Sequence, residues 1–248
     1  MIKIKNKQEL VLMRKGGWLL AKIMGRIKQE VLPGQTTNKL NELAEKMIFE
    51  VGAQPSFKSY QGFPTALCIS LNEEIVHGVP SERIIKEGDI ISLDLGLFYK
   101  GFHTDLAITI PIGLVESDKR RIIKATWQAL QRGIKKVRLG KTFGDLGNTI
   151  QRVAERQGLT VVSGLCGHGI GQKLHEDPWV LNTGKKGTGL KFKKGMVFCI
   201  EPMFSAGSGE TEIMTNGFTI KTKDGSLSAH FEHTVAVTDN GCEILTAD

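Results

Sequence analysis

The sequence predicts an α+β chain of two pseudo-symmetric halves, in which helices back a curved, mostly antiparallel sheet. Two observations carry this expectation: the chain repeats itself weakly, and each copy runs helices first and strands afterwards. Composition bounds it. With 248 residues, 24% of them charged and 40% apolar, the chain fits an ordinary globular protein of one to two units at ~150 residues each. It is read as a single domain over 1–248.

Lys86-Glu87-Gly88-Asp89-Ile90-Ile91-Ser92-Leu93-Asp94 aligns with Lys193-Lys194-Gly195-Met196-Val197-Phe198-Cys199-Ile200-Glu201. Both are a glycine turn followed by an apolar strand that ends in a carboxylate. Upstream, Val31, Gly34, Thr36 and Leu40 recur at the same spacing as Val137, Gly140, Thr142 and Leu146. His77-Gly78-Val79-Pro80 resembles His175-Glu176-Asp177-Pro178. Three matches in one order set the halves at 1–110 and 111–248, joined near Pro111-Ile112-Gly113.

Element by element, Leu10, Met13, Gly17, Leu20, Met24, Ile27 and Val31 form one face of a first helix, stopped by Pro33-Gly34. Thr37 is expected to cap a second helix carrying Leu40, Leu43, Ala44, Met47, Ile48 and Val51, which ends at Gly52. Ile122, Ile123, Thr126, Leu130, Ile134 and Val137 repeat the first pattern, and Phe143, Leu146, Ile150 and Val153, ending at Gly158, repeat the second. Strands are expected at 67–71, 89–98, 103–110, 196–201 and 231–238.

Asp94 lies inside the apolar run Ile90–Leu95, where an unpaired charge is expensive to bury. Tyr99-Lys100-Gly101-Phe102 reads as a tight hairpin. With Lys100-Gly101 at its tip, residues whose numbers sum to 201 face each other, so Asp94 opposes Ala107 and Asp105 opposes Gly96. The two aspartates are then diagonal neighbours on one face, with Cα atoms about 7–8 Å apart, near enough to hold one cation. Glu201 matches Asp94 in the repeat, and Glu232 lies in a further apolar strand, His230 to Val237. Four carboxylates embedded in strands call for one or two divalent ions as compensating charge.

The glycine-dense Gly164-Leu165-Cys166-Gly167-His168-Gly169-Ile170-Gly171 presents His168 as a candidate ligand. His77 and His175, in the paired H-x-x-P segments, suit polarising a substrate or moving a proton. His103, on the strand of Asp105, is read as structural and facing the other side of the sheet. His230 is expected to stand behind the ligands on the face of Glu232; His233 receives no role.

These segments, together with Cys68-Ile69-Ser70-Leu71-Asn72-Glu73, Glu201-Pro202-Met203 and Ser226-Leu227-Ser228-Ala229, resemble the type I methionine aminopeptidases of the creatinase-like pita-bread fold over nearly the whole chain. The resemblance implies a cytoplasmic enzyme that hydrolyses the N-terminal methionine from peptides and nascent proteins. It implies two divalent ions (Co, Mn, Fe or Zn) with a bridging hydroxide as nucleophile. Asp105 and Glu232 would bridge both ions, Asp94 would chelate one, and His168 with Glu201 would bind the other. Four carboxylates then balance two dications. Glu201 would shuttle a proton, His175 would stabilise the oxyanion, and His77 would hydrogen-bond the nitrogen beside the scissile bond. Tyr60, Phe63, Cys68, Leu174, Met203 and Phe218 would form the methionine pocket. Leu174 and Phe218 depart from the larger aromatics common in bacterial relatives, which puts the width of that pocket in question.

Two other readings share the fold: a metal-free binding module, and a prolidase. All five ligand positions are occupied, which weighs against the first. Only 25 positions separate His175 from Glu201 and little chain precedes Leu10, which weighs against relatives with large inserts or a leading domain. Four cysteines with no C-x-x-C pair exclude a disulfide framework or a thiolate zinc site. No apolar run approaches the roughly 18 residues of a membrane span, and MIKIKNKQEL lacks the apolar core of a secretory signal. A net charge of +7 favours weak attraction to polyanions, hence a weak association with ribosomes. With no long apolar stripe demanding a partner, a monomer is expected.

Overall fold

The computed structural model describes residues 2–247. Helix α1 (Lys7–Glu30) opens on a capping box: the Asn6 side chain accepts from the Gln8 and Glu9 N–H groups, and the Glu9 carboxylate accepts from Asn6 N–H. Helix α2 (Thr37–Glu50) follows. Its cap is Thr36, whose hydroxyl accepts from Lys39 N–H, and not Thr37. Thr37 is the first helical residue, with its hydroxyl donating to the Ser81 carbonyl. Adjacent threonines offer the same capping chemistry, so spacing alone misplaced the boundary by one residue.

Next come β1 (Gln54–Pro55), a single 3₁₀ turn at Tyr60–Gly62, β2 (Leu67–Leu71), β3 (Glu74–Val76), β4 (Ile90–Tyr99) and β5 (Phe102–Pro111). Lys100 (φ 47°) and Gly101 (φ 89°) close the β4–β5 hairpin. Positive φ at both central residues is what a two-residue hairpin turn of type I′ requires. The ten rungs from Tyr99↔Phe102 to Ile90↔Pro111 follow the expected register.

The chain then repeats the order of elements. Helix α3 (Ser117–Ile134) and helix α4 (Phe143–Arg156), the latter held by a Thr142–Asp145 capping box, precede the remaining strands. These are β6 (Thr160–Val161), β7 (Gly167–Gly169), β8 (Glu176–Val180), β9 (Val197–Ile200), β10 (Met203–Ser205), β11 (Thr211–Ile213), β12 (Ile220–Thr222), β13 (Ser228–His230), β14 (Glu232–Thr238) and β15 (Gly241–Ile244). Sequence reading found β2, β4, β5, β9 and β14. The rest span two to five residues, too short for an alternation of apolar and polar side chains to register.

The main sheet has nine strands, in the order β1-β4-β5-β14-β9-β7-β8, with β2 also on β4 and β15 also on β14. Every pairing is antiparallel. Two three-stranded sheets, β13-β10-β6 and β11-β12-β3, adjoin it. One core lies under α1 and α2, where Leu20, Met24 and Ile48 pack on Leu93, Leu95 and Leu97. A second lies under α3 and α4, where Ile122, Leu130 and Ile150 pack on Phe198 and Val235. Period-two alternation in β4, β5, β9 and β14 therefore turns one set of side chains to the helices and the other to a common opposite face.

Candidate active site

The cross-strand register lays the acidic residues out in rows. Asp94 faces Ala107 across β4–β5, and Ala107 faces Glu232 across β5–β14. Continuing the pair His233↔Ile200 by one residue puts Glu201 across from Glu232. A single row thus runs Asp94, Ala107, Glu232, Glu201, and Ala107 is the small residue beneath its middle. The next row on the same face holds Gly96 and Asp105, followed by Thr234 and Cys199. Direct neighbours in such rows have Cβ atoms about 4.5–5.5 Å apart. Register alone thereby sets the four carboxylates as a chain of neighbours, Asp94 diagonal to Asp105, Asp105 diagonal to Glu232, and Glu232 opposite Glu201.

Backbone and side-chain contacts lock them there. Thr234 Oγ1 accepts from the Asp105 N–H and donates to the Asp105 carbonyl, both at 2.9 Å. The Leu106 N–H donates to Asp105 Oδ1, and the Asn182 amide donates to the Glu201 carbonyl. His168 is carried by β7 between Gly167 and Gly169. A Cβ on these glycines would lie 2.4 Å from the Cys199 carbonyl oxygen and 2.1 Å from that of Asp177, so only glycine lets β7 approach its neighbours this closely.

The residues fit a divalent cation. Oxygen and nitrogen atoms of Asp94, Asp105 and Glu232 form one close group, and those of Glu201, His230 and Glu232 another, with all atoms of a group within 4.8 Å of one another. Cys199 joins His168 and Glu232 in a third. Asp94 Oδ1 and Glu232 Oε1 are buried without hydrogen-bond partners, as are both ring nitrogens of His230. Burial raises the pKa of all four carboxylates, to about 7 for Asp105, and mutual repulsion adds to this for Asp94, Glu201 and Glu232. The clearest sign is at His168. Its Nδ1 is 2.9 Å from the Gly169 carbonyl and must be the protonated nitrogen, since a carbonyl only accepts. Burial lowers this imidazole to about 3, so it is neutral and Nε2 presents a lone pair. That lone pair lies 3.5 Å from Glu201 Oε1. Two acceptors facing each other need a cation or a proton between them.

The other histidines surround this centre. The ring of His175 packs edge-on against that of His168 at 4.2 Å, and its Nδ1 is 2.9 Å from the Tyr60 hydroxyl. Burial and the neighbouring His77 lower it to about 4. Burial also lowers His77, which occupies a left-handed backbone conformation (φ 55°) between β3 and Gly78. His230 Nε2 lies 3.7 Å from Glu201 and 4.0 Å from Glu232, beside the ligand cluster. His233 accepts or donates at the Thr246 hydroxyl and belongs to the packing of β14. The expectation for His103 is corrected: it stands two residues before Asp105, and period-two alternation places both on one face. There His103 bonds the Ser56 hydroxyl at 2.8 Å and packs on Phe98, two rungs outward from Asp105. It contacts no acidic residue of the cluster.

A cavity of about 610 Å³ opens over the cluster, and every residue expected to ligate metal, catalyse or bind substrate lines it: Asp94, Asp105, His168, Glu201, Glu232, His77, His175, Tyr60, Phe63, Cys68, Leu174, Met203 and Phe218. Phe63 and Phe218 meet edge to face at 5.5 Å. Sequence reading missed Phe57, Val76, Cys166, Trp179, Ile213 and Ile220 in the lining. It also missed Cys199 and Thr234, whose place in the second row only the register reveals. Lys5 was equally silent: its ammonium makes a buried ion pair with Glu176 at 2.8 Å and so ties the N-terminal segment to the residue after His175.

Residues 11–239 match the model of metallopeptidase family M24. The chain is 44% identical to the methionine aminopeptidase of Clostridium perfringens, over 99% of both chains. A crystal structure of methionine aminopeptidase from Thermotoga maritima superposes with a TM-score of 0.98 at 38% identity, covering all of both chains. A prolidase from Pyrococcus furiosus, at 24% identity and a TM-score of 0.81, shares the fold over 99% of this chain and 65% of its own. The pita-bread architecture expected from the sequence is therefore the one observed.

Proposed function

This chain belongs to metallopeptidase family M24, and from that premise we propose that it is a methionine aminopeptidase, hydrolysing the N-terminal methionine from peptides and nascent proteins. The observation that carries the reading is the convergence of Asp94, Asp105, Glu201, Glu232 and His168 on one face of an apolar cavity. Asp105 and Glu232, central in their rows, would be shared by two divalent ions, with Asp94 completing one and His168 and Glu201 the other. When bound, such ions polarise a carbonyl and lower the pKa of water from 15.7 to about 7. Carboxylates with one imidazole suit Co, Mn, Fe or Zn.

The chain's own groups supply the remaining work. Glu201, whose carboxylate lines the cavity, would carry a proton from the attacking water to the leaving nitrogen. The Tyr60 hydroxyl and His175 Nδ1 lie 2.9 Å apart; with the phenol as donor, Nε2–H would be free to donate to the substrate carbonyl as negative charge develops there. His77, neutral and fixed by its backbone, hydrogen-bonds the peptide nitrogen beside the scissile bond. Tyr60, Phe63, Cys68, Leu174, Met203 and Phe218 receive the methionine side chain. Among the described residues no Lys or Arg lines the cavity.

We further assign the enzyme to the cytoplasm, as a single-domain monomer that associates weakly with ribosomes. No helix among the described residues is long and apolar enough to cross a membrane. Residues 117–156 carry eleven Lys or Arg against three Asp or Glu, and Trp127 is exposed among them on α3. An exposed aromatic within a basic face suits weak contact with RNA. Cosedimentation with ribosomes should fall steeply with salt, and salt-insensitive or absent binding would remove that contact. The peptidase reading is tested by product release: methionine from Met-Ala-Ser, abolished by EDTA and restored by added metal. Cleavage of the dipeptide Ala-Pro in preference would contradict it.

A further inference from the structure

We infer that the cavity continues outward as an apolar peptide track between Trp179 and Ile213, which selects a bulky apolar side chain at the second residue beyond the scissile bond. This rests on the aminopeptidase reading and extends its substrate class to the sequence downstream of methionine.

Of the large apolar side chains that stand exposed on the molecule, Trp179 (64%) and Ile213 (66%) are the two that line the cavity. Both sit on edge strands, Trp179 on β8 at the end of the nine-stranded sheet and Ile213 on β11 at the end of a three-stranded one. Edge strands carry unpaired backbone groups that an extended peptide can use. Trp179 lies directly across from His168, so it is the next step outward along the row that passes the metal ligands. On the facing wall Val76, Ile220 and Ile213 form one cross-strand row. That row runs from Val76 (4% exposed) through half-buried Ile220 to Ile213 at the mouth. Val76 and Ile220 pack with Ile75, Val162 and Met203, and Ile213 carries that apolar row on into solvent.

The spacing selects the substrate position. Trp179 is one strand separation from His168, about 4.8 Å, and an extended peptide advances about 3.3 Å per residue. A chain leaving the centre reaches the indole within about two residues. The absence of Lys and Arg from the described lining gives no reward to acidic side chains there. The ligand class is therefore a neutral, apolar residue: Leu, Phe or a similar side chain at the third position of the substrate.

The test uses metal-loaded protein and the peptides Met-Ala-Xaa-Ser, with Xaa Phe, Leu, Ser or Asp. Phe and Leu should exceed Ser in kcat/KM by on the order of ten-fold, mostly through KM. Trp179→Ala and Ile213→Ser should bring that ratio close to one, chiefly by raising KM for the Phe and Leu peptides. In metal-free Trp18→Phe/Trp127→Phe protein, Met-Ala-Leu-Ser should shift the remaining Trp179 fluorescence and Met-Ala-Asp-Ser should not. A flat series in the wild type, or a preference that survives Trp179→Ala, overturns the track alone. Failure to release methionine from any peptide overturns the aminopeptidase reading, and the track falls with it.

Discussion

The two halves deliver their acidic residues by different routes. In the first, two residues link β4 to β5, and Asp94 and Asp105 are diagonal neighbours on one hairpin. In the second, β9 and β14 are separated by residues 201–231, which fold into β10–β13, and Glu201 and Glu232 face each other directly. The short connection makes a rigid, all-oxygen clamp. The long one supplies Met203, Ile213, Phe218, Ile220 and His230 to the cavity wall. Neighbouring β7 adds an imidazole. Both halves contribute acidic residues and cavity wall, but the two groups proposed to carry a proton and to steady the oxyanion, Glu201 and His175, belong to the second.

The largest expected effect follows from that division. Glu201→Gln should lower kcat by about 10³-fold at saturating metal, the range of a lost proton carrier. His175→Ala should cost about 10²-fold in kcat, as loss of one oxyanion donor does, with KM little changed. Tyr60 belongs to the first half yet holds His175 of the second. Tyr60→Phe should therefore cost several-fold in kcat, well below His175→Ala. An unchanged kcat would mean that the halves act independently at this point.

Metal removal should expose the charge-holding role as a pH dependence of stability. The raised carboxylates bind protons in the folded chain at a pH where the unfolded chain does not, so metal-free stability should rise as pH falls through about 7. The histidines act in the opposite sense. His103, His168, His175, His230 and His233 have folded pKa values of about 3 to 4, against 6.5 unfolded. Below about 6.5 the unfolded chain binds these protons first, and stability is lost. Melting of the metal-free protein should thus peak near pH 6, by several degrees over pH 8. Metal should move the optimum upward. A metal-free melting temperature that climbs steadily to pH 8 would contradict this origin of the carboxylate pKa values.

The smallest effects concern the helices behind each half. A Cβ at Gly17 of α1 would lie 2.2 Å from the Leu245 carbonyl oxygen, whereas at Gly133 of α3 it would lie 2.9 Å from a Leu146 methyl. Backbone cannot give way and a leucine can. Gly17→Ala should therefore destabilise by about 2–3 kcal/mol and Gly133→Ala by less than about 1 kcal/mol in denaturant titrations. Equal values would erase the distinction.

The same contrast explains what the sequence disclosed. The first half's clamp was legible because a two-residue turn fixes register by arithmetic, and Asp94, Ala107, Gly96 and Asp105 fell where counting put them. His103 could have been placed by the same counting, and its misassignment was an error of parity. The second half's long connection defeats such arithmetic, so the rows through Thr234 and Cys199 needed coordinates. Trp179 and Ile213 were illegible for another reason. On strands of three to five residues an apolar side chain reads as core, and only the structure reveals that both stand in solvent.

Anomalous diffraction from crystals loaded with cobalt or manganese tests the convergence of the two halves most directly. Two peaks about 3.5–4 Å apart are expected, one beside Asp94 and one beside His168 and Glu201, with Asp105 and Glu232 touching both. Ions bound elsewhere, or a single site that leaves either half's carboxylates without a metal, would contradict it.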